Sequence, residues 1–600
     1  MLVISDKLLS DGKFEPIQRF FLDCLFGLTH ENSLDSYRVK CLNARTIVRE
    51  LSEELEIGRL NDPEFKHLCS ECTSILEKDF VVQSSFKNGY AALKRLLDDP
   101  PLLPGGDKKP DKKDEATNKT KIRKTRFAAS DFLADLNYKY FDRLVEALKE
   151  AVKNSQEDEV ASLTNAIVSD LCDRGWSLET LFGWHKHFIA QSAKPFDDNL
   201  DFMLRHLSHK PTEFTVTLKV VGGNKIRELS KFRHFSISED VEAAGATGPE
   251  KKFLAKSKMA TFVTGNFQDV DFVVAARAAR AELETLIDLI RFEYERASLK
   301  IEGRSYVQRK DDGQARLVDL QPIVPNPIAK VRQNHFRGFV KNFGKIVSDS
   351  GVSPDSASRI RAAFRLYRFG RDSESYNDKF MNWWMGLESI AGMGGHRIGE
   401  TVTKNVGHAM LVEYFNRLLR DLISTLRYVD LDWTQNLKDV SGVETPKELR
   451  DKGLVALLQS SAHARELWTK LDMHPYVVHH GKQLEALLND PKMAAEKLQS
   501  HFDRVQWHLD RLYRIRCCIV HGATVRFRLP LYSANLEYYL TRCLILIIRG
   551  FRAHKHIKDL RDLFERADIS WRNVHASLND GNADNSTIAQ YVASGIVPRD

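Results

Sequence analysis

Apolar residues recur along most of the chain at three- and four-residue intervals, the period of a helix with one buried face. Phe132, Leu136, Tyr140, Leu144 and Leu148 form the clearest run, and Val160–Leu171 follows before a break at Gly175. Ser177 carries a hydroxyl suited to cap a helix beginning at Leu178. The pattern changes after Pro211. Phe214–Val221 (FTVTLKVV) is β-branched and roughly alternating, and Gly222, Gly223 and Asn224 close it, which predicts a strand. Strand-like stretches recur at 260–267 and 299–306, with helical spacing over 272–298 between them. From Pro325 to about Lys558 the helical period returns.

These changes of period divide the chain. Residues 1–103 read as an N-terminal helical region that stops at Pro100, Pro101, Pro104, Gly105 and Gly106. Residues 104–126 include KKPDKKDEATNKTKIRKTR, with too few apolar groups to offset chain entropy, and read as a charged, solvated linker basic enough to touch RNA. A helical region over 127–209, a small α+β module over 210–325, a helical domain over 326–560 and a tail over 561–600, polar and loose over Ala576–Asp600, complete the expectation. The expected fold class is mainly α with one small α+β module.

At 600 residues the chain exceeds a single core, and three or four domains are expected. A net charge of +7 permits nucleic-acid contact without requiring it. The 8 cysteines are sparse and irregular, which argues against a disulfide framework. The first residues lack a basic flank followed by an apolar core, and the apolar run Leu544–Ile548 is too short to span a bilayer. A cytoplasmic protein without a membrane partner is expected.

The chemistry concentrates at Leu512–Gly522 (LYRIRCCIVHG), where Arg516 and His521 stand five positions apart in apolar surroundings. RNA brings its own nucleophile, the 2′-hydroxyl. In-line attack on the adjacent phosphorus requires a proton to leave that hydroxyl and another to reach the 5′-oxygen, tasks suited to histidine near neutrality. An arginine offers a fixed fork of donors to the charge that builds on the phosphoryl oxygens. Five helical residues place the two side chains about 140° apart, so they do not share a face of a straight helix. Either the helix ends or bends near Gly522, or a second copy supplies the convergence. Arg514, seven positions before His521, shares its face and is a competing phosphate ligand. A purely structural role for Arg516 and His521 at a helix interface is the alternative.

Tyr513, Arg516, Ile519, Val520, His521 and Gly522, in the order Y-x-x-R-x-x-I-V-H-G, resemble the hallmark helix of HEPN domains, specifically the ApeA-like branch. Upstream, Trp383–Ile390 (WWMGLESI) resembles the first long helix of that family, and Thr401–Leu422 fits the helix after it. The resemblance covers roughly residues 330–560. It implies a C-terminal HEPN-type helical bundle and a metal-independent endoribonuclease that works as a homodimer or higher oligomer. It also implies a role in antiphage, abortive-infection defence, set off by a phage-derived trigger. No cofactor is implied. Arg516 and His521 match the family's catalytic pair, and Glu388 matches an acidic position near the site, where holding Arg516 is its alternative role. The polar residue common after the arginine is Cys517 here. A non-catalytic dimerisation or RNA-binding adaptor, or a sensor, is the rival expectation.

Other features carry less. Asp430–Gln499 separates the two motifs as an insertion, and its Val478–Gly481 (VHHG) has no arginine four to six residues upstream. Cys69 and Cys72, with His67, supply half a zinc spacing, which Cys24 and Cys41 could complete only by folding close. Gly392–Gly395 lacks the lysine of a phosphate loop and reads as a turn. Arg365, Arg368 and Arg371 recur every third residue, and Arg365 and Arg368 are expected RNA-phosphate ligands.

Overall fold

The computed structural model describes residues 3–5, 9, 14–30, 42–58, 60–103, 114–222, 226, 234–241, 248–255, 260–293, 299–320, 344, 352–393, 397–429, 450–521 and 529–594. Two compact units appear. The first comprises 1–170, 189–196 and 324–600, and the second 171–188 and 197–323. The N-terminal helices and the C-terminal helical region are therefore parts of one body, which corrects the expectation of separate domains at 1–103, 127–209 and 326–560.

The chain opens with α1 (Pro16–Thr29), α2 (Ala44–Ile57), α3 (Asp62–Lys78), α4 (Phe80–Ser85) and α5 (Lys87–Leu97). Side chains at the N-termini set α2 and α3: Asn43 accepts from Thr46 N at 2.9 Å, and Asn61 from Glu64 N at 3.0 Å. A 40-residue helix, α6 (Asp114–Lys153), follows. Its first turns cover much of the segment expected to be linker, which is a correction for 114–126; residues 104–113 lie outside the described ones. The reason is that Ala, Lys and Arg favour helix once a packed segment downstream has paid for nucleation. That segment is the expected apolar stripe, since Phe132, Leu136, Tyr140, Leu144 and Leu148 are all buried. Asn118 also ties the start of α6 down, accepting from Leu102 N at 2.8 Å and donating to Leu102 O at 2.6 Å.

After α7 (Glu157–Asp173) the chain forms α8 (Leu178–Ala190) and α9 (Phe196–Leu207). Ser177 caps α8 as expected, accepting from Thr180 N at 3.2 Å. The sheet then holds β1 (Thr212–Val221), β2 (Phe235–Ser238), β3 (Ala260–Asp269), β4 (Lys300–Arg309) and β5 (Ala315–Asp319), with α10 (Gly248–Leu254) before β3 and α11 (Phe272–Glu293) between β3 and β4. The strand order is β2-β3-β1-β4-β5, and every pairing is antiparallel. A bulge interrupts β1 against β4 between Leu218 and Val220. Ala275, Ala276 and Ala279 let α11 lie close on the sheet, burying Phe214, Val216 and Val263.

The rest of the first unit is helical: α12 (Pro354–Asp372), α13 (Tyr376–Ala391), α14 (Ile398–Leu411), α15 (Tyr414–Tyr428), α16 (Arg450–Gln459), α17 (Ser461–Lys470), α18 (Pro475–Asn489), α19 (Pro491–Val520), α20 (Leu529–Ala553), α21 (Leu560–Leu578) and α22 (Asn585–Ser594). Thr401–Leu422, expected as one helix, is split between α14 and α15. The described part of the 430–499 insertion, α16 to α18, shares a core with α15 and α22. The tail at 561–600 is a further correction. Trp571, Val574 and Leu578 lie at helical spacing and are buried, and so is Ile588 on α22. Their apolar stripe is diluted by Arg572, Asn573 and His575, which makes the segment look polar as a string.

Trp571→Ala should therefore cost about 3–5 kcal/mol, the usual penalty for emptying a buried tryptophan site. A thermal melt should show a lowered midpoint, whereas an unchanged melt would mean that α21 is dispensable to the core.

Candidate functional site

The helix that carries the expected chemistry is α19. Asp490 starts it, accepting from Met493 N at 3.0 Å, with Pro491 in the first turn, where no amide is missed. Its middle is core: Leu498, Val505, Leu509 and Leu512 are fully covered. Beyond Arg514 the helix leaves the interior, with Ile515–Ile519 half-buried and Val520 48% exposed. The helix ends at Val520. His521 is its C-cap, with φ −93° and ψ 13°, and its amide donates to Cys517 O at 3.0 Å. His521 is exposed. Gly522 lies outside the described residues.

Arg516 faces α13. Its Nε is 3.8 Å from Glu388 Oε1, an ion-pair distance too long for a hydrogen bond. The two side chains keep 27% and 21% exposure. Arg516 Nε is itself sealed and has no hydrogen-bond partner among the described residues. Glu388 is held from its own helix: Trp384 Nε1, one turn earlier, donates to Glu388 Oε1 at 2.6 Å. Trp384 in turn packs on Tyr513 of α19, with ring centroids 5.7 Å apart. Tyr513 fits there because α14 presents Gly399; a Cβ at that position would sit 3.0 Å from the Tyr513 ring. Burial, and after it the neighbouring Cys517, pushes the Tyr513 hydroxyl above its usual pKa. The motif residues Trp384, Glu388, Tyr513 and Arg516 thus gather in one place. Arg516 and His521 share no hydrogen bond, and with α19 helical through Val520 they point along different directions, as the spacing predicts.

Arg514 does not join them, which corrects its expected role in binding substrate. It is buried, its guanidinium donates to Glu50 of α2, and Glu54 lies 3.6 Å away. One turn earlier Arg511 is also buried, donating from Nε to Glu50 at 2.8 Å and from NH2 to Glu71 of α3 at 2.5 Å. Asp510 adds a third link, with His67 Nδ1 of α3 at 2.6 Å and Thr403 of α14 donating at 3.0 Å. Burial alone would raise the Glu50 carboxyl, but Arg511 and Arg514 outweigh it and hold it at about 2. Glu71, which shares Arg511, goes the other way: its burial, with the Glu50 charge added, outweighs Arg511 and pushes it up. Sequence reasoning missed the cluster because its partners stand more than 400 positions apart, as the separation of 461 between Glu50 and Arg511 shows.

Arg365 and Arg368 stand exposed on α12, and Arg368 lies 5.2 Å over the Phe369 ring. Arg371 instead bonds the buried Glu537 at 3.1 Å. No hydrogen bond or ion pair joins Arg365 or Arg368 to Arg516 or His521 among the described residues. His479, in the VHHG echo, is bonded to Glu157 at 3.1 Å. Cys69 and Cys72 are buried on α3, where burial pushes Cys69 up to about 12 and Cys72 well above its usual range. Cys41, Gly394 and Gly395 lie outside the described residues. Among the described residues no group of 3 or more His, Cys, Asp or Glu side chains is placed to hold a metal ion, and no helix is long and apolar enough to cross a membrane.

Compared with known protein families, with curated proteins and with solved structures, the chain matches none. The likeness to HEPN domains rests on the residues quoted above.

The Glu50 carboxyl, held at about 2 against an ordinary 4.5, contributes stability that is present above pH 4.5 and lost as the pH falls through 2. Thermal midpoints of the wild type should fall across that window more steeply than those of Glu50→Gln, which should begin lower at neutral pH. Parallel curves would show that Glu50 is not the anchoring charge.

Proposed function

We propose that the chain is a HEPN-type endoribonuclease acting in the cytoplasm, in which Arg516 and His521 cleave RNA without a metal. Support comes from one arrangement. A single helix fixed in the core delivers a half-buried guanidinium beside Glu388 and, at its exposed end, an imidazole open to solvent. Arg516 contributes donors to the scissile phosphate, and Glu388, itself pinned by Trp384, orients it. His521 carries protons: the 2′-hydroxyl loses one as its oxygen bonds phosphorus, and the 5′-oxygen gains one as its bond to phosphorus breaks. The products are a 2′,3′-cyclic phosphate and a 5′-hydroxyl.

Because Arg516 and His521 diverge around α19, one copy presents them on different faces. A two-fold pairing of two copies through the ends of α19 brings the arginine of one toward the histidine of the other. Exposed Arg365 and Arg368 are suited to hold flanking phosphates. The setting proposed is antiphage defence by abortive infection, with a phage-derived trigger releasing the activity. The rival reading, a non-catalytic dimerisation or RNA-binding adaptor, is favoured by one observation: Arg516 already faces an anion, Glu388, at 3.8 Å.

The test is cleavage of RNA in EDTA by the wild type, Arg516→Ala and His521→Ala. Each substitution should lower the rate by about 100-fold or more. If both variants cut as fast as the wild type, or the wild type cuts nothing when phage-infected lysate is added, the adaptor reading replaces this one.

A further inference from the structure

In the second unit, α8 and α9 bring together an array of flat side chains that the ribonuclease reading does not use. His187 of α8 stacks on Phe202 of α9, with centroids 5.2 Å apart and planes 20° from parallel. Phe202 also lies near-parallel to His206, at 6.4 Å and 30°. Trp184 supports all three from beneath, edge-on at 5.1 Å to His187, 6.0 Å to Phe202 and 5.4 Å to His206. Trp176 flanks His206 at 6.0 Å, and His209 extends the array at 5.8 Å.

Two features distinguish this array from ordinary core. Phe202 is 47% exposed, while its apolar neighbours Leu200, Met203, Leu204 and Leu207 on α9 are buried. A large ring held partly in water by near-parallel neighbouring rings is preorganised for another flat group. Cations also border it. Arg205 and Arg316 are exposed, and the Arg316 guanidinium lies 4.8 Å over the Phe272 ring. Arg309 lies 5.6 Å over the same ring but is ion-paired with Asp312. Burial, then His209, Arg309 and Arg316, lowers the His206 pKa below its usual value, which favours the uncharged ring beside these cations.

We infer that this face binds a single-stranded nucleic acid, one base stacking on the Phe202 array and the adjoining phosphates meeting Arg205 and Arg316. Unpaired bases expose the π-faces such an array takes, which a duplex hides, and a polyanion matches the bordering arginines. An apolar protein anchor would use Phe202 but leave the arginines unanswered. The inference does not rest on the cleavage chemistry.

The test uses the full chain and two fluorescein-labelled probes of about 12 nucleotides, 2′-O-methyl-oligouridine and oligothymidine, neither of which carries a free 2′-hydroxyl to be cut. Anisotropy should show binding of at least one probe, with the relative affinities assigning RNA or DNA. Phe202→Leu should weaken it by about ten-fold, and Phe202→Trp should retain it. Arg205→Gln with Arg316→Gln should weaken it and flatten its salt dependence. Absence of binding by the wild type, wild-type affinity in Phe202→Leu, or equal affinity for a duplex would overturn the inference. Failure here would leave the ribonuclease reading standing, because the probes measure binding alone.

Discussion

A buried ionic cluster fixes the helix on which the functional reading depends. Arg511 and Arg514, on successive turns of α19, point inward and meet Glu50, Glu54 and Glu71 from α2 and α3. Two guanidinium groups taken from water are costly unless their donors are satisfied. Here charge-assisted hydrogen bonds do that, and the carboxylate of Glu50 is shared between both arginines. Removing one side would strand the other as an uncompensated charge in the interior. Such an arrangement specifies register: α19 can dock against the N-terminal helices with these two arginines inward, and with few alternatives.

The consequence appears one turn later. With the Arg511–Arg514 face turned inward, the helix emerges from the core at Ile515, and polarity runs against the usual pattern: arginines inside, Val520 outside. Arg516, just past the point of exit, settles between core and solvent against Glu388, and His521 comes free at the C-cap. The N-terminal helices are thus structural partners of the motif helix as well as candidates for controlling it. Anything that moved α2 or α3 would act on α19 directly, through Glu50 and Glu71.

Legibility in the sequence followed the range of the interactions. The α6 stripe from Phe132 to Leu148, the Ser177 cap and three of the five strands were readable because period and capping are local. The meeting of Trp384, Glu388, Tyr513 and Arg516 was readable only as two motifs in order, since their contact depends on how α13 and α19 pack. Arg514 was misread because helical spacing gives a side chain's direction but not what stands opposite it. Trp571 and Ile588 were overlooked because a short stripe among charged residues resembles a solvated tail until a partner helix is present. The same logic hid α6's first turns: charged residues can extend a helix that packs farther along.

The placement of Arg516 and His521 requires that the acidic N-terminal helices and α19 be energetically one unit. A double-mutant cycle on Glu50→Ala and Arg511→Ala, read by denaturant unfolding, measures that link. Each single change should cost about 3–5 kcal/mol, and the double variant should lose far less than their sum, leaving a coupling of about 2 kcal/mol or more. Costs that add to within about 0.5 kcal/mol would mean that the two groups act independently and that α19 is held by something else.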